Sequence, residues 1–332
     1  MVPTSDWPPL VRPEAAALVA DAIGGRRVLV TGASGWFGRT MVALLVAGGR
    51  RTDEHGLMCV ASRGRVETVA GVGDVPVRAW AHDEVVEFAP EVVINCAFLT
   101  RDKVELLGRD RYSEAVTRLS QRFLETVQLP SVSHVVSISS GASLTAWGDA
   151  ETDARANPYG FRKAVEERDL MAAASERGIG ATVLRAWAMS GPFVQRPRDY
   201  LFSSLVVQAL AARSRPGATI QVDSAAPVWR KFAAVDEALA VAIAVARRGG
   251  VTLVDTGGPL VEAGGLARRV IELLAPGATV QRPQARDGDV ENRYFAEGDA
   301  YEAQCRDVGL SPSDLDDQIL RTAALLSRGV AA

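Results

Sequence analysis

Residues 28–47 constrain the fold of this 332-residue chain more than any other stretch. Val28-Leu29-Val30-Thr31 is a short β-prone apolar run, Gly32, Gly35 and Gly38 follow at every third position, and Trp36 to Ala47 carries a helical pattern. A strand that passes through a glycine turn straight into a helix is the opening half of a parallel βαβ unit. Each glycine has its own physical reason: one for the tight turn, one so that backbone can approach a pyrophosphate, one so that the helix can press on the strand. The helix start then offers unpaired amides and the positive end of its dipole to phosphates. Gly32, Ser34, Gly35, Trp36, Phe37 and Gly38 are therefore candidate dinucleotide-binding residues. A glycine triplet alone is a weak signal, and its place between strand and helix makes it a strong one.

The alternation continues downstream. Leu57–Ala61, Val92–Asn95, Val135–Ile138 and Ala181–Arg185 read as strands, with helical stretches over 113–127 and 157–177. The expected class is α/β, a Rossmann-type doubly wound parallel sheet covered on both faces. After Gly191 the rhythm loosens, with Pro192, Pro197, Pro216 and Gly217 in the connections. The organisation expected is an N-terminal extension over 1–25 with a short amphipathic helix from Pro13 to Ile23, a dinucleotide-binding domain over 26–190, and a smaller mixed substrate-binding region over 191–332, some of whose segments return to the sheet.

Composition removes several classes. A net charge of −3 with no basic stripe argues against a nucleic-acid partner. Cys59, Cys96 and Cys305 make no disulfide framework or metal spacing, and the first two read as buried reduced thiols. His55, His82 and His134 are far apart, so no metal site is expected. The start Met1-Val2-Pro3-Thr4 lacks a secretory pattern, and no apolar run approaches the roughly 18 residues of a membrane span. A cytoplasmic protein without membrane contact is expected.

Tyr159 precedes Lys163 by four positions, in a chain with only three lysines among 37 basic side chains. On a helix these residues share a face, where an ammonium can hold down a phenol pKa and make the tyrosine a proton donor or acceptor near neutral pH. At the end of the second strand, Ala61-Ser62-Arg63-Gly64-Arg65 contains no acid to accept from ribose hydroxyls. Ser62 and Arg63 suit a 2′-phosphate instead, which favours NADP, with NAD the alternative.

With these features in hand, the chain resembles the extended short-chain dehydrogenase/reductase family, in its nucleotide-sugar-modifying branch. The resemblance rests on Thr31-Gly32-x-x-Gly35-x-x-Gly38, Asn95-Cys96-Ala97 beside the cofactor, Ser139-Ser140 at a strand end, Pro158-Tyr159-Gly160-x-x-Lys163, Arg230-Lys231-Phe232 through Asp236, and Arg286-Asp287-Gly288-Asp289. It implies that Ser140, with Ser139 as a close alternative, hydrogen-bonds the reacting oxygen, that Tyr159 exchanges a proton with it, and that Lys163 holds the nicotinamide ribose. It also implies that Arg230 and Arg286 contact a substrate diphosphate, and that the enzyme is a homodimer. Two departures narrow the chemistry. Gly141-Ala142-Ser143 replaces the acid pair that drives dehydration, and Ala188 and Trp80 stand where relatives carry an asparagine and an aspartate. The activity expected is NADP-dependent reduction of a keto group on a nucleotide-activated sugar. The competing readings are a nucleotide-sugar epimerase with tightly bound NAD(P), a non-sugar carbonyl reductase, and a non-catalytic dinucleotide-binding regulator.

Overall fold

A computed structural model describes residues 6–52, 56–145, 154–215, 217–286 and 288–330. Residues 1–5 of the N-terminal extension, Pro216, Asp287 and the last two residues of the C-terminal region lie outside the described residues. The chain divides into two compact units.

The first unit comprises Glu14–Ala186 and Leu239–Asp255. Its strands are β1 (Val28–Thr31), β2 (Leu57–Ala61), β3 (Arg65–Val69), β4 (Gly73–Ala79), β5 (Val92–Asn95), β6 (His134–Ser140), β7 (Gly180–Ala186) and, after a long excursion, β11 (Val251–Asp255). They form one eight-stranded sheet in the order β11-β7-β6-β5-β1-β2-β4-β3. Every residue of β1, β2 and β5 is buried, as expected of parallel strands covered on both faces. Around the sheet lie α1 (Pro13–Ile23), α2 (Trp36–Ala47), α3 (His82–Phe88), α4 (Asp102–Leu107), α5 (Arg109–Val127) and α6 (Pro158–Arg177). Leu29, Val93, Phe123, Val135, Leu170 and Val183 anchor its core. The Rossmann-type sheet expected from sequence is present, with one addition. β3 and β4 were not anticipated, and β3 runs antiparallel to β4. A short turn at positive-φ Gly71 and Gly73 joins them, and without a crossover helix two successive strands can pair only that way.

The order of the strands reverses between β1 and β5, both of which pair in parallel with their neighbours. That is the switch point where an open α/β sheet leaves a crevice at its carboxyl ends.

The second unit comprises Met1–Pro13, Trp187–Ala238 and Thr256–Ala332. Its strands are β8 (Ala188–Ser190), β9 (Thr219–Gln221), β10 (Val228–Ala234), β12 (Leu260–Glu262), β13 (Thr279–Gln281) and β14 (Asn292–Arg293). Its helices are α7 (Leu201–Ala212), α9 (Ala263–Leu274), α10 (Ala300–Asp307) and α11 (Leu315–Val330), while α8 (Val235–Arg247) begins in this unit and continues into the first. Phe202, Leu205, Phe232, Leu266, Val270 and Ile319 form its core. Arg321, 1% exposed in its side chain, binds Asp236 at 2.6 Å, Glu237 at 3.0 Å and Asp317 at 2.7 Å, and Arg12 joins the same cluster through Glu237 at 3.1 Å. Among the described residues no helix is long and apolar enough to cross a membrane.

Candidate active site

The glycine loop leaves β1 and enters α2 with three glycines in three different situations. Gly32 has φ +62°, and a Cβ there would stand 2.7 Å from the backbone of Cys96 and Ala97. The loop after β1 and the loop after β5 are thus in direct contact across the switch point. A Cβ on Gly38 would overlap the Gly32 carbonyl, so this glycine lets the helix close on the turn. Gly35 differs. Its φ of −82° and ψ of 176° suit any residue, and its Cβ would meet only the Gly32 carbonyl, at 3.3 Å. That one contact is tight, and no other group comes within 4 Å. Gly35 is also the N-cap of α2, no side chain caps that helix, and its first turn carries no acid. A glycine with no side chain, at an uncapped and acid-free helix start, is the cradle a dinucleotide pyrophosphate needs, so these residues fit the cofactor. Ser34, Gly35, Trp36 and Phe37 are all partly exposed around it. The side chain of Asn95, by contrast, is buried and engaged with the Thr31 hydroxyl at 2.6 Å and the Ser137 hydroxyl at 3.2 Å. What the β5 end presents to the loop is the backbone of Cys96 and Ala97. Cys59 is buried as expected, whereas Cys96 is partly exposed as a residue, because it has already left the strand. Burial still pushes both thiols up to about 12.

Helix α6 carries Tyr159 and Lys163. Its start is fixed by Asn157, whose side chain accepts from the Gly160 amide at 3.0 Å, and by Pro158 in the first turn. Gly160 has no room for a Cβ, because Asn157 and the Ala142 carbonyl already fill the space. The start of the helix at Gly160 therefore lies against the loop that follows Ser140. One turn on, Lys163 is buried, and its Nζ donates to the Ile138 carbonyl at 2.6 Å, faces Glu166 at 3.6 Å and lies 3.5 Å over the Phe98 ring. Phe98 in turn meets Tyr159 edge-on at 5.8 Å. Burial pulls the Lys163 pKa down, opposed first by Glu166 and then by Glu167.

The two serines at the end of β6 are not equivalent. Ser139 donates to Glu167, which is held by Arg185 through Nε and Nη2 at 3.0 and 2.6 Å. Its hydroxyl is committed inside the fold. Ser140 accepts from the Ala142 amide at 3.2 Å, which leaves its proton available for a ligand oxygen.

At the end of β2, Ser62 and Arg63 are exposed, and Arg63 makes no hydrogen bond or ion pair among the described residues. The nearest acid along the chain, Glu67 on β3, is buried and bound by Arg39 at 2.6 Å and by Arg65. In the second unit, Arg230 on β10 donates to the carbonyls of Trp229 and Asn292 at 2.7 and 3.1 Å and lies 5.6 Å over Tyr294, which itself packs on Trp187 at 4.9 Å. Arg286 is exposed in the loop ahead of β14, and its amide donates to Asp289 at 2.8 Å. β14 pairs with β10, the strand that carries Arg230.

The model of the NAD dependent epimerase/dehydratase family matches residues 28–253, most of the chain and every element of the crevice. The chain belongs to that family. It is an enzyme whose cofactor is a nicotinamide dinucleotide. Among solved structures it is similar to a MoeE5 complex with UDP-glucose and NAD, at 22% identity and TM-score 0.64 over 92% of this chain and 99% of that one. It is also similar to UDP-glucose 4-epimerase from Brucella ovis with NAD, at 20% identity and TM-score 0.68 over 90% and 97%. A third is the dTDP-glucose 4,6-dehydratase DesIV from Streptomyces venezuelae, a double mutant with NAD and DAU bound, at 19% identity and TM-score 0.63 over 92% and 98%. No curated protein matches.

Tyr159 and Lys163 are legible in the sequence, whereas no motif marks Phe98, Glu166 and Glu167, which face Lys163. For the two acids the signal is spacing. Glu166 and Glu167 follow Lys163 by three and four positions, so they share its inward face, where acids need a partner.

Proposed function

We propose that this member of the epimerase/dehydratase family is an NADP-dependent ketoreductase of a nucleotide-activated keto-sugar. The observation that carries the reading is the β2 end. Arg63 is exposed there and has no hydrogen-bond or ion-pair partner among the described residues, and the acid Glu67 is already paired with Arg39 and Arg65. A 2′-phosphate would meet a planar cation there, while a bare ribose would find no free carboxylate at that strand end among the described residues. In the remaining assignments, Gly32, Ser34, Gly35, Trp36, Phe37, Gly38, Cys96 and Ala97 line the cofactor, Asn95 supports them from within the sheet, and Arg230 and Arg286 bind the diphosphate as cationic donors. Residues 26–190 serve mainly the cofactor and 191–332 mainly the substrate, in a homodimeric enzyme.

A bound nicotinamide dinucleotide supplies the hydride. Ser140 donates its free hydroxyl proton to the ketone oxygen and so polarises it. Tyr159 delivers a proton to the same oxygen as charge develops there. Lys163 favours the ionised phenol that results, by charge. Gly141-Ala142-Ser143 offers no acid–base pair at the adjacent carbons, which weighs against elimination.

A nucleotide-sugar epimerase is the second reading. Its support is the fold likeness to a UDP-glucose 4-epimerase structure with NAD. The two part cleanly in one experiment. A reductase consumes added NADPH in step with keto-sugar and loses its cofactor on gel filtration, whereas an epimerase turns over without added NAD(P)H and retains it. In that assay Tyr159→Phe abolishes turnover with cofactor affinity nearly unchanged. Arg63→Ala weakens NADPH more than NADH, and tighter NADH binding by the unaltered protein would overturn the NADP assignment.

A further inference from the structure

The Lys163 side chain lies inside the protein, 3% exposed. A buried lysine tends to shed its proton, and an uncharged lysine could neither favour a phenolate nor hold a ribose through a charged hydrogen bond. Something in the fold must therefore keep it cationic. The Ile138 carbonyl takes one of its hydrogens but brings no charge.

The groups that face the Lys163–Glu166 pair come from α6, from α5 and from the segment after β5. Glu167, on the same helix, is neutralised by Arg185 and engaged by Ser139. Cys96, after β5, is a neutral thiol because burial raises it to about 12. Tyr112 of α5 is pushed up by burial and donates to the Leu99 carbonyl at 2.9 Å. Tyr159 and Arg162 of α6 and Asp102 of α4 act on Tyr112 in turn. Among the described residues, Glu166 is the carboxylate facing Lys163 that no arginine pairs.

Glu166 is itself 4% exposed, and its hydrogen bonds all point one way. The Ser120 hydroxyl donates to Oε2 at 2.6 Å and the Ser137 hydroxyl donates toward Oε1 at 3.4 Å. Ser137 receives from Asn95 Nδ2 at 3.2 Å, and Asn95 receives from the Thr31 hydroxyl at 2.6 Å. The thread runs from β1 through β5 and β6 to α6, every member donating toward the carboxylate. Three groups, the hydroxyls of Ser120 and Ser137 and the Lys163 side chain, are placed to donate to this one carboxyl.

We propose that Glu166 is a positioning residue for Lys163: anchored by the thread that begins at Thr31, its carboxylate keeps the buried ammonium charged and fixed one helical turn from Tyr159. The proposal rests on Lys163 being a working residue of the site, and it is independent of which sugar or cofactor phosphate is used. The depression of Lys163 by burial, with Glu166 the leading opposing influence, agrees with the geometry.

The test uses the scarcity of lysine. With three lysines in the chain, the full-length protein labelled with ¹³C-lysine gives three Cε signals, and Lys163 is assigned by its absence in Lys163→Met. In Glu166→Gln, which keeps the shape and loses the charge, the titration midpoint of Lys163 falls by about one pH unit or more, while Lys103 and Lys231 do not move. Glu166→Asp, which restores the charge, recovers most of the loss. Once turnover is measurable, the alkaline limb of its pH profile moves to lower pH in the same variant. An unmoved Lys163 midpoint in folded Glu166→Gln overturns the proposal. So does finding Lys163 already neutral at pH 7 in the unaltered protein, a measurement that stands even if the variant fails to fold. Because the titration needs neither substrate nor turnover, its failure is distinguishable from failure of the reductase reading.

Discussion

Gly35→Ala separates the needs of a fold from those of a ligand. The native backbone at this position is open to alanine, and the added methyl meets only the Gly32 carbonyl, at 3.3 Å. Replacing glycine at a compatible site stabilises by about 0.4–1 kcal/mol through the unfolded chain, from which a close contact subtracts a few tenths. The folding free energy should therefore stay within about 0.5 kcal/mol of the unaltered protein. Gly38→Ala starts from a different place, since its methyl overlaps the Gly32 carbonyl and comes within 2.6 Å of Ala33 Cα. Overpacking of that kind costs about 1–3 kcal/mol. Cofactor affinity should order the variants differently. A methyl at Gly35 occupies the space proposed for the pyrophosphate, and a similar overpacking energy there corresponds to roughly ten- to hundredfold weaker binding. Denaturant melts of both variants give the first ordering, and fluorescence titration with NADPH and NADH gives the second. The reasoning fails if Gly35→Ala binds cofactor as the unaltered protein does, or if it unfolds as readily as Gly38→Ala.

Three further outcomes are expected. Ser140→Ala should lower kcat by about a hundredfold or more, as loss of a donor to a developing oxyanion does, while Ser139→Ala should leave kcat within about tenfold; steady-state kinetics showing the reverse order would reassign the serines. Glu262 caps α9 by accepting from the Gly264 amide at 2.7 Å and also binds Arg282 at 2.8 Å, so Glu262→Ala should cost about 1–2 kcal/mol in denaturant melts at neutral pH. Burial of Glu262 is outweighed by the hydrogen bonds from Val228, Arg282 and Gly264, and its pKa is lowered. Its contribution is thus present above the ordinary carboxylate pKa and lost as pH falls through the folded value, so melts of the variant and the unaltered protein should converge in acid. Arg321→Met leaves Asp236 and Glu237 buried with their main counter-charge gone and should cost about 3–5 kcal/mol; a loss under about 1 kcal/mol in the same assay would mean that Arg12 suffices.

The parts of this molecule that obey short-range rules could be read from its sequence. β1, β2 and β5 announce themselves as apolar runs, and the ends of α2 and α6 follow from glycine at Gly35 and from Asn157-Pro158. Tyr159 and Lys163 were visible because their relation is fixed by helix geometry. The hairpin of β3 and β4 was hidden because Val66 is exposed while Glu67 is buried, which inverts the usual polarity of a strand. Ser139 and Ser140 could not be told apart, since the difference lies in Glu167 and Arg185, contributed by another helix and another strand. Glu166 went unremarked for the same reason. Its meaning depends on Ser120, Ser137, Asn95 and Thr31, which converge only when four elements are assembled.

The edge strand β11 has a consequence for how the chain matures. The first unit leaves the sheet at Ala186 and is completed only when Val251–Asp255 returns to pair with the middle of β7 in parallel register. During synthesis, β7 must therefore wait with an open row of amides and carbonyls while the whole intervening segment emerges. Such an edge invites pairing with other chains. A ribosome stalled anywhere between Trp187 and Val251 would release a nearly complete crevice with an unguarded flank, so slow translation of this stretch should appear first as aggregation rather than as lost activity.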